Sequence, residues 1–143
     1  MSRISTSPRV SRNIVLDASA VLANVLREPG GERVDDLFDS LEAGETLKVA
    51  IGSVNWCEIL TRLFRDNRNM ATEELAALLA GVELVAFDRD VAEVAAGFAR
   101  IDASLSLGDR ACLALASSRQ AAAWTTDKQW SRLNLGVKVE ILR

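Results

Sequence analysis

Residues 13–22 read NIVLDASAVL, and this stretch decides the fold. Asn13 to Asp17 is a short run of Ile, Val and Leu, the composition of a buried strand, closed by an acid. From Ala18 the chain turns to small and apolar residues at helical spacing. The helix expected over 18–27 stops before Pro29-Gly30. A fully apolar strand that passes straight into a helix is the opening of a β-α-β unit, whose parallel strands are covered on both faces.

The same alternation continues along the chain. A second helix is expected over 31–43, with Val34, Leu37, Phe38 and Leu41 on one stripe and Gly44 ending it. A strand over 47–51 leads into a helix over 53–67, whose apolar stripe is Trp56, Ile59, Leu60, Leu63 and Phe64. A helix over 72–81 turns Leu75, Leu78 and Leu79 inward, and a strand follows over 82–87. Helices over 88–103 and 106–118 precede strands over 122–125 and 137–142. The fold class is therefore α/β, in one domain over 13–143; residues 1–12, with Arg3, Arg9 and Arg12 and no acid, read as a flexible leader.

Composition narrows the chemistry. The 143 residues include no histidine and two cysteines, Cys57 and Cys112. Ser-His-Asp and Cys-His catalysis are thereby excluded, and a zinc site is disfavoured. Both cysteines lie in apolar helical patterns and are expected as buried thiols, which suits a cytoplasmic protein. No apolar run approaches the roughly 18–20 residues that span a bilayer. Acid–base or metal chemistry must then rest on carboxylates.

Four carboxylates stand out by position. Asp17 closes the first strand, Asp127 follows the fourth, and Glu58 and Asp109 lie in the first turns of helices. In open parallel sheets ligands bind beyond the carboxyl ends of the strands, so the topology can bring these acids to one edge. Clustered carboxylates repel, and a hard divalent cation offsets the repulsion; Mg2+, or Mn2+ in its place, takes such oxygen ligands and supports phosphodiester hydrolysis without histidine. Setting these four aside leaves 16 acids against 17 basic residues, so the net charge of −3 does not argue against RNA. Arg62, Arg65, Arg68, Arg110, Lys128 and Arg132 lie close in sequence to the acids and could hold phosphates.

Each acid also has an ordinary explanation. Asp17 could cap a helix with help from Ser19, and Glu58 could pair with Arg62 at i,i+4. Ser106 to Asp109 matches a capping box, and Thr125-Thr126-Asp127 could be a turn. Trp56 and Trp124 read as core, whereas Trp130 could contact RNA or a partner.

Taken together, four stretches resemble the motifs of PIN domains, in particular the VapC toxins of bacterial toxin–antitoxin pairs. They are NIVLDASAVL at 13–22, SVNWCE at 53–58, SLGDRACLALA at 106–116 and TTDKQW at 125–130. The resemblance spans about residues 13–142. It implies a PIN-like three-layer sandwich, with a five-stranded parallel sheet flanked by helices. It implies that Asp17, Glu58, Asp109 and Asp127 surround one or two Mg2+ or Mn2+ ions, with Asp127 binding metal or orienting the attacking water. Ser19 and Thr125 would hold carboxylates or water. Arg62, Arg65, Arg110 and Lys128 are the candidate RNA contacts. The implied activity is endonucleolytic cleavage of RNA. The implied partners are a cognate antitoxin, seated in a groove between the helices expected at 18–27 and 31–43, and a second copy of the chain. Some family members carry a further acid a turn after the third motif, where this chain has Cys112 and Leu113. A toxin ribonuclease competes here with a non-toxin PIN nuclease, a catalytically silent interaction module and a receiver-like or phosphoryl-transfer domain. A haloacid-dehalogenase-like enzyme wants an acid where this chain has Ser19.

Overall fold

A computed structural model describes residues 12–67 and 72–143. The expected leader therefore lies almost wholly outside the described residues, and Arg12 belongs to the first strand. The elements run β1 (Arg12–Leu16), α1 (Ala18–Val25), α2 (Gly31–Glu42), β2 (Leu47–Gly52), α3 (Ser53–Arg65), α4 (Thr72–Leu78) and β3 (Glu83–Val85). They continue with α5 (Arg89–Gly97), α6 (Leu107–Arg119), β4 (Ala122–Thr125) and β5 (Val139–Ile141).

The five strands form one parallel sheet in the order β3-β2-β1-β4-β5. β1 is central, with Val15 registered against Ala50 of β2 and Ala123 of β4. Side chains alternate across a strand, and both faces of β1 are apolar. Ile14 and Leu16 join a core with Val21, Leu37, Ile59 and Leu63, under α1, α2 and α3. Val15 joins a second core with Phe98, Leu113, Leu115 and Trp130, under α5 and α6. Burial of each such large side chain contributes roughly 1.5–3 kcal/mol, so the two cores hold the three layers together. α6 is buried nearly all round from Ala111 to Ala116, which explains its uninterrupted apolar sequence. Among the described residues, no helix is long and apolar enough to cross a membrane.

Several expectations shift. The helix expected over 18–27 ends at Val25, and Arg27 adopts a left-handed φ of 59°. The chain re-enters α2 through Gly30 at φ 95°, where a side chain would meet the Leu142 backbone. The strand expected over 82–87 shrinks to three residues at the sheet edge, where Arg119 grips Glu83 with both guanidinium Nη atoms at 2.6 and 2.9 Å. The helix expected over 88–103 ends at Gly97 and tightens into a 3-10 turn at Phe98–Arg100.

Two side chains depart from the helical periodicity, Cys57 and Phe64, and Trp130 resolves to the core. Cys57 is exposed while Cys112 is buried. Phe64 falls on the outer face of α3 and is 62% exposed, whereas Ile59 and Leu63 are buried and Trp56 and Leu60 pack partly against the core. Trp130 is 1% exposed and packs in the second core, with its indole N–H unpartnered, so it is unavailable for stacking on a base.

Candidate acidic site at the carboxyl edge of the sheet

Asp17 stands where the central strand ends. Its backbone N–H still donates to Trp124 O at 2.9 Å, so β4 fixes its position. Its side chain does not cap α1. Instead the Oδ2 accepts from Ser19 Oγ at 2.7 Å and Thr125 Oγ1 at 2.9 Å. Ser19 also accepts from Thr126 N, and Thr125 from Asp127 N, each at 3.1 Å. Two hydroxyls from opposite ends of the chain, Ser19 and Thr125, thus pin one carboxylate. Burial drives the Asp17 pKa up to about 6; the two hydroxyls pull it back, and the charges of Asp109 and Glu58 push it further up.

Glu58 projects from the second turn of α3. It makes no pair with Arg62, whose Nε lies 2.7 Å from Asp66. Glu58 Oε1 accepts from Asn55 Nδ2 at 3.0 Å. Partial burial raises its pKa, Asn55 lowers it, and the Asp109 charge raises it again. The carboxyl group occupies the space beside Gly108, where a Cβ would run into it. Gly108 is therefore glycine because a side chain of α3 fills its place.

Asp109 and Asp127 are held differently. Asp109 completes a capping box: its Oδ2 accepts from Ser106 N at 2.9 Å, and its N–H donates to Ser106 Oγ at 3.1 Å. Asp127 Oδ1 accepts from Gln129 N at 2.9 Å and caps a 3-10 turn at Lys128–Arg132. With two acids turned onto local backbone, no three His, Cys, Asp or Glu side chains among the described residues form a ready-made metal cage. The charges of Asp17, Asp109 and Glu58 nevertheless converge: after burial itself, all three push up the pKa of the Cys112 thiol beneath them. Asp127 reaches this group through its backbone bond to Thr125. The donor set is all oxygen and anionic, which fits a hard divalent ion.

The candidate phosphate contacts are scattered. Arg62 is committed to Asp66, and Arg65 is exposed on α3. Arg110 turns its Nε to Leu105 O at 3.4 Å, and Lys128 is exposed beside Asp127. Arg68 lies outside the described residues, and Arg132 is exposed. Sequence reasoning missed Arg143, whose guanidinium reaches Thr126 Oγ1 at 3.4 Å, because the end of β5 has no motif of its own. It also missed Asn55, wholly buried among the acids. The available signal was its spacing of three from Glu58, which puts both on one helix face.

A parallel three-layer α/β fold with acids collected beyond its central strands is shared by several classes of phosphoryl-handling domain, and comparison with known proteins narrows the choice. The PIN domain model matches residues 14–135, and the chain belongs to that family. A toxin–antitoxin complex from Klebsiella pneumoniae superposes with a TM-score of 0.67 at 16% identity, covering 91% of this chain and 98% of that one. VapBC-1 from nontypeable Haemophilus influenzae gives 0.66 at 12%, with coverage of 91% and 98%. FitAcB from Neisseria gonorrhoeae gives 0.60 at 21%, with coverage of 88% and 95%. Among curated proteins, none matches this chain significantly in sequence.

Proposed function

We propose that this protein is a divalent-metal-dependent endoribonuclease and the toxin of a VapC-type toxin–antitoxin pair, acting in the cytoplasm. The observation that carries the reading is the buried Asp17 carboxylate, pinned by Ser19 and Thr125 and facing Glu58 at the end of the central strand. Holding such a group ionised is costly unless a cation shares it.

Asp17, Glu58 and Asp109 would hold Mg2+ or Mn2+, and Asp127 would bind it or orient the attacking water. The ion supplies a Lewis acid that makes water nucleophilic near neutral pH and polarises the phosphoryl oxygen. The protein's own contribution is rigidity. Ser19 and Thr125 use their hydroxyl protons on Asp17, so its Oδ2 cannot swing away. Thr125 also fixes the backbone of Asp127, which keeps that carboxylate beside the site. Lys128, Arg110, Arg62 and Arg65 would meet RNA phosphates around the rim.

The antitoxin reading draws on the similar structure from Klebsiella pneumoniae, a toxin–antitoxin complex. Val21 and Leu37, on the early helices, are spent on the core. The surface we favour for the antitoxin is a cavity of about 650 Å³ between α2 and α4, lined by the apolar Phe38, Leu41 and Leu78 and the acidic Asp39, Glu42 and Glu45. Such a surface suits an amphipathic, basic antitoxin segment. A homodimer is part of the same reading.

The test is direct. Purified protein should cleave single-stranded RNA with Mg2+ or Mn2+ and stop with EDTA. Growth arrest on expression should be relieved by co-expressing a small gene adjacent to its own. Metal-independent cleavage would overturn the mechanism. Arrest that persists in Asp17→Asn, without cleavage, would favour the silent interaction module.

A further inference from the structure

Resting on the nuclease reading, we propose that Asn55 is the positioning residue that sets the spacing of Asp17, Glu58 and Asp109 for the divalent ion. Asn55 is fully buried in the first turn of α3. Its Nδ2 lies 3.0 Å from Glu58 Oε1, 3.0 Å from Gly108 O and 3.5 Å from Asp17 Oδ1. An amide nitrogen carries two protons. The two short bonds therefore go to Glu58 and Gly108, and Asp17 makes the longer contact.

Those partners belong to separate elements. Asp17 ends β1, Glu58 sits one turn along α3, and Gly108 is the residue before Asp109 in α6. One side chain thus indexes three carboxylate-bearing segments to one another. Gly108 strengthens the link, since the missing side chain there leaves room for the Glu58 carboxylate.

The other end of Asn55 shows what the residue is kept for. Its Oδ1 is buried without a hydrogen-bond partner and lies beside Gly52. An asparagine that served only packing would be expected to satisfy both ends of its amide. Here the acceptor end is left unpaired, while the donor end meets three oxygens, those of Glu58, Gly108 and Asp17. Aspartate could not substitute, because it offers only acceptors. Lysine or arginine would bind the acids but neutralise them and compete with the metal. A neutral donor holds two carboxylates near each other and leaves their charge for the ion.

The experiment compares Mn2+ binding by calorimetry in the wild type, Asn55→Leu, Asn55→Ser and Ile59→Val. Asn55→Leu keeps the volume and removes the donor. Asn55→Ser keeps a shorter donor and serves if the leucine variant fails to fold. Ile59→Val trims the core of the same helix away from the acids. Residues that orient metal ligands are typically worth 10–100-fold in affinity. Asn55→Leu should therefore weaken Mn2+ binding by roughly 10-fold or more. Asn55→Ser should fall between it and the wild type, and Ile59→Val should lower the melting temperature with unchanged affinity. The concentration of Mn2+ needed for half-maximal RNA cleavage should shift with the calorimetric constant, while the rate at saturating Mn2+ changes less. Binding within about twofold of the wild type in Asn55→Leu, or in Asn55→Ser where the former does not fold, overturns the proposal. So does an equal weakening in Ile59→Val. If the wild type binds no Mn2+ and cleaves no RNA, the nuclease reading itself fails and takes this inference with it.

Discussion

The acidic pocket has two halves built on different principles. Asp17 and Glu58 are held by side chains from distant segments: Ser19, Thr125 and Asn55. Asp109 and Asp127 are held by backbone within three residues of themselves. In the first half the ordinary explanations fail, since Asp17 caps nothing and Glu58 leaves Arg62 to Asp66. In the second half they hold, and the acids close a capping box and a 3-10 turn. The difference teaches that a carboxylate with no local role is the better functional marker. Asp109 and Asp127 have local tasks that would keep them in place in any case.

The comparison can be broken most severely at Asp17. Asp17→Asn should lower cleavage by more than the roughly 10–100-fold typical of groups that only orient a ligand. It should also stabilise the metal-free protein. Asp17 is an acid whose folded pKa, about 6, lies above its ordinary value of 3.8. The folded state therefore binds the proton more tightly, and wild-type stability falls as pH rises through that window. Removing the charge should restore on the order of 3 kcal/mol above about pH 6, and little near pH 4. Thermal melts in EDTA at both ends of the window check this, and an asparagine variant less stable than the wild type at high pH would contradict it.

Gly108→Ala joins the two halves by force. The new Cβ meets the Glu58 carboxylate, so either Glu58 or the first turn of α6 must move. The carboxylate is the end of a flexible side chain and can give way easily, so stability should change by less than about 1 kcal/mol while the displaced Glu58 lowers cleavage. A variant with wild-type activity would show that Glu58 is free to sit elsewhere.

The smallest effect on cleavage belongs to the locally built half. Ser106→Ala removes one member of the capping box and should cost about 1 kcal/mol in urea unfolding. Cleavage should fall only modestly, because the Asp109 carboxylate still accepts from the Ser106 backbone N–H. A collapse of activity as large as that of Asp17→Asn would mean that Asp109 is positioned by its cap alone.

Much of this was legible before any coordinates. The apolar strands on either side of Asp17 and Asp127 fixed the layers, because burial on both faces leaves no polar alternation to misread. That Asp17 and Asp127 follow β1 and β4 was legible because a parallel sheet puts its strands' carboxyl ends on one edge. Side chains that depend on tertiary contact were not legible. Asn55 looks like an ordinary helix residue until α6 packs against it. Trp130 looked available because a 3-10 turn gives no periodic signal, and Phe64 shared a stripe whose other members turn toward the core. The cation positions were least legible, since exposed guanidinium groups follow nearby acids, as Arg62 follows Asp66.

The central place of β1 has a consequence for biosynthesis. The first acid to leave the ribosome borrows one of its hydroxyl donors from a threonine 108 residues downstream. A nascent chain halted before β4 carries Asp17 and Glu58 but lacks both the neighbouring strand and that donor. The acidic site therefore cannot be complete until β4 has joined the sheet, and on the nuclease proposal an unfinished chain would not yet cleave RNA.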